Sequence, residues 1–129
     1  MMKAKKLLFL DDIRNPVEVY HYAEQDIFLD ENWHIVRDYE QFVNRILRKG
    51  LPEIVSFDHD LGYEDLEESD SCKHYGKTGY DCARWLIDYC MDRGLELPVF
   101  YSHSMNPVGK YNILCLLENF KNYQHENNK

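Results

Sequence analysis

Basic residues are scarce in this chain: 15 Lys and Arg stand against 23 Asp and Glu, for a formal net charge of -8. Gripping nucleic acid along its phosphate backbone requires clustered Lys and Arg, so the charge argues against that class, although not against a nucleotide or RNA end held through a metal ion. No apolar run is long enough to span a bilayer, so no membrane partner is expected. Residues 1–10 place basic side chains ahead of an apolar patch, but the patch is short and runs into Asp11-Asp12, unlike a secretory signal. A cytoplasmic location is the default expectation. Cys72, Cys82, Cys90 and Cys115 lack metal-finger spacing, and the last three fall in helical apolar patterns that read as buried, reduced thiols. The Gly-x-Ser-x-Gly elbow of serine hydrolases and the residue pattern of an EF-hand loop are also missing. So is any apolar run after the last helix from which a fifth strand could form.

What is present is an alternation of strands and helices over 129 residues, one domain's worth of chain. Short apolar runs at about residues 5–10, 33–36, 54–57 and 97–101 read as strands buried on both faces. Between them lie helix starts with identifiable caps. Asn15-Pro16 begins a short helix that reaches at most residue 25. Asp38, with Gln41 three positions on, begins a helix whose stripe is Phe42, Val43, Ile46 and Leu47, and Gly50 with Pro52 ends it. Thr78-Gly79-Tyr80-Asp81 reads as a capping box with Asp in the Glu position, followed by a face of Cys82, Ala83, Leu86, Ile87 and Cys90 that stops at Gly94. Asn106-Pro107 starts the last helix, which buries Ile113, Leu114, Leu117 and Phe120. Residues 63–77 form an acidic, aperiodic loop, either a solvated excursion or a lid. The expected fold is α/β: a short three-layer sandwich of receiver or flavodoxin type, with about four parallel strands in the order 2-1-3-4 and helices on both faces. Its boundaries are 1–122, with a frayed polar tail at 123–129.

Chemistry-bearing residues gather where three strands stop. Open α/β sheets bind ligands at the carboxyl ends of their strands, and there this sequence places Asp11-Asp12, Asp58-His59-Asp60 and Ser102-His103-Ser104. Three carboxylates on neighbouring strand ends repel one another unless a hard cation lies between them. Mg²⁺, or Mn²⁺ in its place, suits Asp11, Asp12 and Asp58, with Asp60 as a further ligand. A single Asp at such a place more often caps a helix; the trio is what favours metal. His103 is the candidate general acid or base, since an imidazole titrates near neutrality, and His59 is a second ligand or proton carrier. If the third strand persisted, alternation would put Asp58 and Asp60 on one side and His59 on the other. Phosphate oxygens would meet Asn106 and the free amides of the last helix, the hydroxyls of Ser102 or Ser104, and Arg14. The Thr78 helix start is a second possible anion site, or an ordinary capped helix.

An acidic pair after the first strand and an Asp after the third resemble the phosphoacceptor pocket of response-regulator receiver domains. That likeness implies Asp58 as phosphoacceptor, Asp11 and Asp12 as Mg²⁺ ligands, and Ser102 in the place of the hydroxyl switch residue. The family's lysine follows a fifth strand that this chain lacks, and Lys110 lies inside a helix pattern. The chain is more closely similar to the divergent receiver-like group known as cyclic-phosphate-processing receiver domains. The matching blocks are Leu10-Asp11-Asp12-x-Arg14-x-Pro16, Ser56-Phe57-Asp58-His59-Asp60-Leu61-Gly62, Thr78-Gly79-Tyr80-Asp81 and His103-Ser104-x-Asn106-Pro107-x-Gly109 with Asn112. The resemblance implies hydrolysis or handling of cyclic phosphates, such as 2′,3′-cyclic nucleotides or RNA termini, with RNA-processing enzymes as partners if the role is RNA repair. Two other classes stay open: a signalling receiver phosphorylated on Asp58, and a non-catalytic module that binds nucleotides.

Overall fold

The computed structural model describes residues 6–61 and 77–127. The acidic loop at 63–77 lies outside these except for Lys77, and so do Cys72 and Gly62. Four strands, β1 (Leu7–Leu10), β2 (Trp33–Val36), β3 (Ile54–Phe57) and β4 (Val99–Ser102), pair in parallel in the order β2-β1-β3-β4. Four helices connect and follow them: α1 (Pro16–Ala23), α2 (Tyr39–Lys49), α3 (Gly79–Arg93) and α4 (Pro107–Asn127), with a 3-10 turn at Asp26–Leu29. This is the receiver-like, flavodoxin-like α/β fold with the expected strand order.

The caps form as the sequence dictates. The Asn15 backbone N–H donates to Glu18 Oε1 at 3.2 Å, with Pro16 just inside α1. Asp38 Oδ1 accepts from the Gln41 N–H at 2.8 Å, and the Thr78 N–H donates to Asp81 Oδ2 at 2.8 Å. Each cap satisfies donors that a helix start otherwise leaves bare. Alternation along β1 then divides the core. Leu8 and Leu10 face α2, α3 and α4, where they meet Phe42, Ile46, Leu86, Ile113 and Leu117. Leu7 and Phe9 face the other way, toward Val19 of α1, Phe28 and Trp33.

Some details depart from expectation: Leu47, placed on the stripe of α2, is exposed. β4 begins at Val99 rather than Leu97, because Pro98 has no N–H to give the ladder and the register with β3 starts at Ile54 against Val99. The tail expected to fray from residue 123 instead continues α4 to Asn127. Gln124 explains this: its Nε2 donates to the Leu95 carbonyl at 2.8 Å and its Oε1 accepts from the Leu97 N–H at 3.4 Å, tying the helix end to the approach to β4.

Candidate functional site

The ladder brings three strand ends level. Leu10 pairs with Phe57, and Phe57 with Ser102. The next residue on each strand extends the bonding one step: the Asp58 N–H donates to the Leu10 carbonyl at 2.9 Å and the His103 N–H to the Phe57 carbonyl at 3.1 Å. Asp11, Asp58 and His103 therefore leave the sheet side by side, and alternation puts them on the face of Phe9 and Ser56.

His103 lies beneath the edge, on the inner side of Asp11. Its ring stacks on Phe9 at 4.4 Å between centroids, and neither its side chain nor that of Asp11 is exposed. Nε2 lies 3.0 Å from Asp11 Oδ2 and Nδ1 lies 2.7 Å from Ser56 Oγ. An ionised carboxylate only accepts, which assigns the proton to Nε2; Nδ1 then accepts from the Ser56 hydroxyl. Burial lowers the basicity of His103 despite the Asp11 contact, so the imidazole is neutral. For Asp11, burial works to raise the pKa but is outweighed by hydrogen bonds from His103 and from the Arg14 and Ile13 amides, which bring it down to about 2. Those amides reach Oδ1 at 2.8 and 3.0 Å.

One carboxylate oxygen from each of Asp11, Asp12 and Asp58 lies within 4.8 Å of the others. Asp58 carries the electrostatic cost. Burial, then the negative charge of Asp11, pushes its pKa up to about 7, against the bond from the His59 amide to Oδ1 at 2.9 Å and the charge of Arg14. Converging oxygens whose repulsion is only partly offset suit a hard divalent cation.

The remaining candidates form a second group around the start of α4. β3 ends at Phe57, so strand alternation does not govern His59 and Asp60, which turn toward each other: Nδ1 lies 2.9 Å from Asp60 Oδ1. Asp60 stands outside the trio and also receives the Asn106 amide at 3.3 Å. Asn106 Oδ1 meanwhile caps α4 by accepting from the Gly109 N–H at 3.0 Å. A Cβ on Gly109 would lie 2.3 Å from His59 Cγ, so the glycine is what lets the ring sit on the helix. Gly79 does the same for the strand end: a Cβ there would fall 1.7 Å from the Asp58 carbonyl oxygen.

The expected phosphate contacts are mostly committed inward. The Ser102 hydroxyl donates to the Phe57 carbonyl at 3.0 Å, Ser104 Oγ accepts from the Asn106 N–H at 3.1 Å, and Thr78 is engaged with Asp81 in the α3 cap. Arg14 stays at the site, 3.6 Å from Asp11 Oδ2 and only partly exposed. Three contributors escaped the sequence reading. Ser56 carries the hydroxyl behind His103. The Tyr22 hydroxyl donates to the His103 carbonyl at 2.7 Å. Arg37 braces the β1–α1 loop through the Asp11 and Arg14 carbonyls, at 3.1 and 2.7 Å. Ser56 alone had a signal, as a hydroxyl in an otherwise apolar buried strand needs a partner.

The family model of the cyclic-phosphate processing receiver domain matches residues 6–119, which hold every residue of both groups. The chain belongs to this family. No curated protein and no solved structure gives a significant match. Within this cyclic-phosphate processing receiver domain, the acidic trio is the receiver-like part. The His103–Ser56 pair lies beneath it and the His59–Asp60–Asn106 group beside it.

Proposed function

We propose that this domain is a metal-dependent phosphoesterase that opens cyclic phosphates. Asp11, Asp12 and Asp58 would hold the divalent cation, Mg²⁺ or Mn²⁺, and the observation that carries the reading is their convergence within 4.8 Å. When bound, such an ion polarises phosphoryl oxygens and makes water more acidic. Ring opening adds water across one P–O bond: its oxygen bonds to phosphorus, and one of its protons ends on the departing ribose oxygen. The sequence favoured His103 for that transfer. Its burial and its two occupied nitrogens suit it instead to holding Asp11 ionised and oriented. His59 is the reachable imidazole, 21 % exposed, and carries the leaving-group proton with Asp60 orienting the ring. Arg14 offsets charge on the phosphate. Asp60 acts through His59 rather than as a fourth metal ligand.

The test is incubation with 2′,3′-cyclic nucleotides and with short RNAs ending in a cyclic phosphate, under Mg²⁺, Mn²⁺ or a chelator, beside Asp58→Asn. Metal-dependent ring opening that the variant loses is the expected result; absence of turnover with either metal overturns the reading.

One observation favours a second reading. Asp58 sits at the end of β3 beside an acidic pair, where receiver domains accept a phosphoryl group. A labile adduct on Asp58 after treatment with acetyl phosphate and Mg²⁺, seen by intact mass, would support a signalling role.

A further inference from the structure

β4 is an outer strand: it pairs with β3 on one side, and among the described residues no strand lies beyond it. Its residues, Val99-Phe100-Tyr101-Ser102, favour strands and include neither a charge nor a proline, so nothing within β4 blunts the edge. The Val99 N–H donates to the Glu53 carbonyl and the His103 N–H to the Phe57 carbonyl, each at 3.1 Å. The strand period then turns the peptide groups of Val99, Tyr101 and His103 toward β3 and those of Phe100 and Ser102 outward. The Val99 side chain is 56 % exposed, although parallel strands are normally covered on both faces.

Two cavities of about 620 and 190 Å³ follow this edge and meet at Phe100. α4 contributes Lys110 and Leu114 to the first and Glu118 to the second. The helix runs antiparallel to β4, since it begins past the strand's end and Gln124 reaches back to Leu97. From Gln124 to Leu114 is about 15 Å of helix, and from Leu97 to Tyr101 about 13 Å of strand. Leu114 therefore stands level with Tyr101. This makes the edge complementary to itself. A twofold axis at Tyr101 sets Phe100 of one copy opposite Ser102 of the other, and each such pair exchanges both of its hydrogen bonds. The same axis brings Leu114 to its counterpart and Lys110 of each copy to Glu118 of the other. Both of these charged residues are exposed. On the opposite face of the sheet, the exposed Val99 comes up beside Tyr101 of the second copy.

We propose that this chain forms a twofold dimer through β4, joining two sheets into one of antiparallel halves. The occupant of the edge is a second copy because the charges along α4 match their own twofold image. The paired strands run in opposite directions, so the two acidic trios stay open at opposite ends of the joined sheet. Nothing in this pairing depends on the phosphoesterase reading.

The experiment is sedimentation equilibrium of the purified chain at micromolar to millimolar concentration, with far-UV circular dichroism to confirm that each variant is folded. Wild type should sediment at twice the chain mass. Lys110→Glu and Glu118→Lys, taken singly, each set like charges opposite one another at two symmetric places and should weaken dimerisation about tenfold. The double variant restores opposite charges and should return to within about threefold of wild type. Val99→Lys charges the edge while keeping the inward bond to Glu53, and should weaken the dimer about tenfold or more. A wild type that stays monomeric at millimolar concentration overturns the proposal. So does a dimer indifferent to Val99→Lys or to the single reversals, or one that the double reversal fails to restore.

Discussion

Two histidine–aspartate pairs flank the acidic trio, nearly equal in length and opposite in setting. His103 and Asp11 meet at 3.0 Å with neither side chain exposed, whereas His59 and Asp60 meet at 2.9 Å with 21 % and 49 % of their surfaces open. The inner pair is stacked on Phe9 and closed off by Ser56; the outer pair rests on Gly109 and a helix cap. Identical chemistry thus divides into a fixed support and a reachable group, and burial alone makes the division. The inner pair should hold up the structure with little tolerance for change. The outer pair should matter for reactivity and hardly at all for stability.

The largest expected effect comes from removing the inner ring. His103→Ala leaves Asp11 without its donor, Ser56 Oγ without its acceptor, and a void under Phe9. The cavity and the stranded polar groups together should cost about 4 kcal/mol by chemical denaturation. His103→Gln, which can keep a donor toward Asp11, should recover part of that stability. A loss below about 1 kcal/mol for His103→Ala would show that the inner pair is not the support inferred from its burial.

Next is Gly109→Ala, which strikes the outer pair through sterics. The new methyl would meet His59 Cγ at 2.3 Å, close to the ring's root and unable to swing aside easily. The variant should lose up to about 3 kcal/mol, and the His59 imidazole resonances should move while those of His103 stay put. Unmoved His59 signals would mean that the ring does not rest on α4.

The pH response sharpens the comparison between the two buried carboxylates that follow register-paired strand ends. Asp58 has its folded pKa raised to about 7, so metal-free protein is fully stabilised by this group below about pH 4, where both states are protonated. Stability should then fall as pH rises toward 7, because the unfolded chain gives up the proton first. Asp11, lowered to about 2, does the reverse: its contribution is present above about pH 4 and is lost as pH falls through 2. Between pH 5 and 7 the chelated protein should lose on the order of 2 kcal/mol. Asp58→Asn should flatten this slope, and added Mg²⁺ should restore wild-type stability at pH 7. A flat profile in the chelated wild type would remove the case for charge repulsion at the trio.

The contrast also marks how far sequence reading reaches. β2 and β3 and the three helix starts capped by Asn15, Asp38 and Thr78 follow from period and caps, both local rules, while the strand order came from the likeness to flavodoxin-type folds. Gathering Asp11, Asp12 and Asp58 at one edge needed only the rule that ligands sit where parallel strands end. Which histidine is inside was not legible, because His103 and His59 both lie within two residues of a strand end, and only the three-dimensional neighbours Phe9, Ser56 and Gly109 separate their fates. The continuation of α4 past residue 122 was hidden for a similar reason. The polar tail carries no apolar stripe there, and it is held by the Gln124 amide reaching back to Leu95 and Leu97.

The smallest stability effect should come from Asp60→Asn, and it bears most on function. Asp60 is half exposed and its bonds to His59 and Asn106 compete with water, so the substitution should change stability by less than about 0.5 kcal/mol. Its effect on ring opening should be far larger. With its Nδ1 partner neutralised, His59 loses the carboxylate that orients its ring, and kcat should drop by about ten- to a hundredfold, a part of the roughly 10²–10⁴ that positioned proton transfer contributes. KM should stay near wild type, since Asp60 stands outside the trio. If Asp60→Asn instead weakens Mg²⁺ binding and leaves kcat at saturating metal unchanged, Asp60 is a metal ligand after all, and the outer pair merges with the trio rather than serving it.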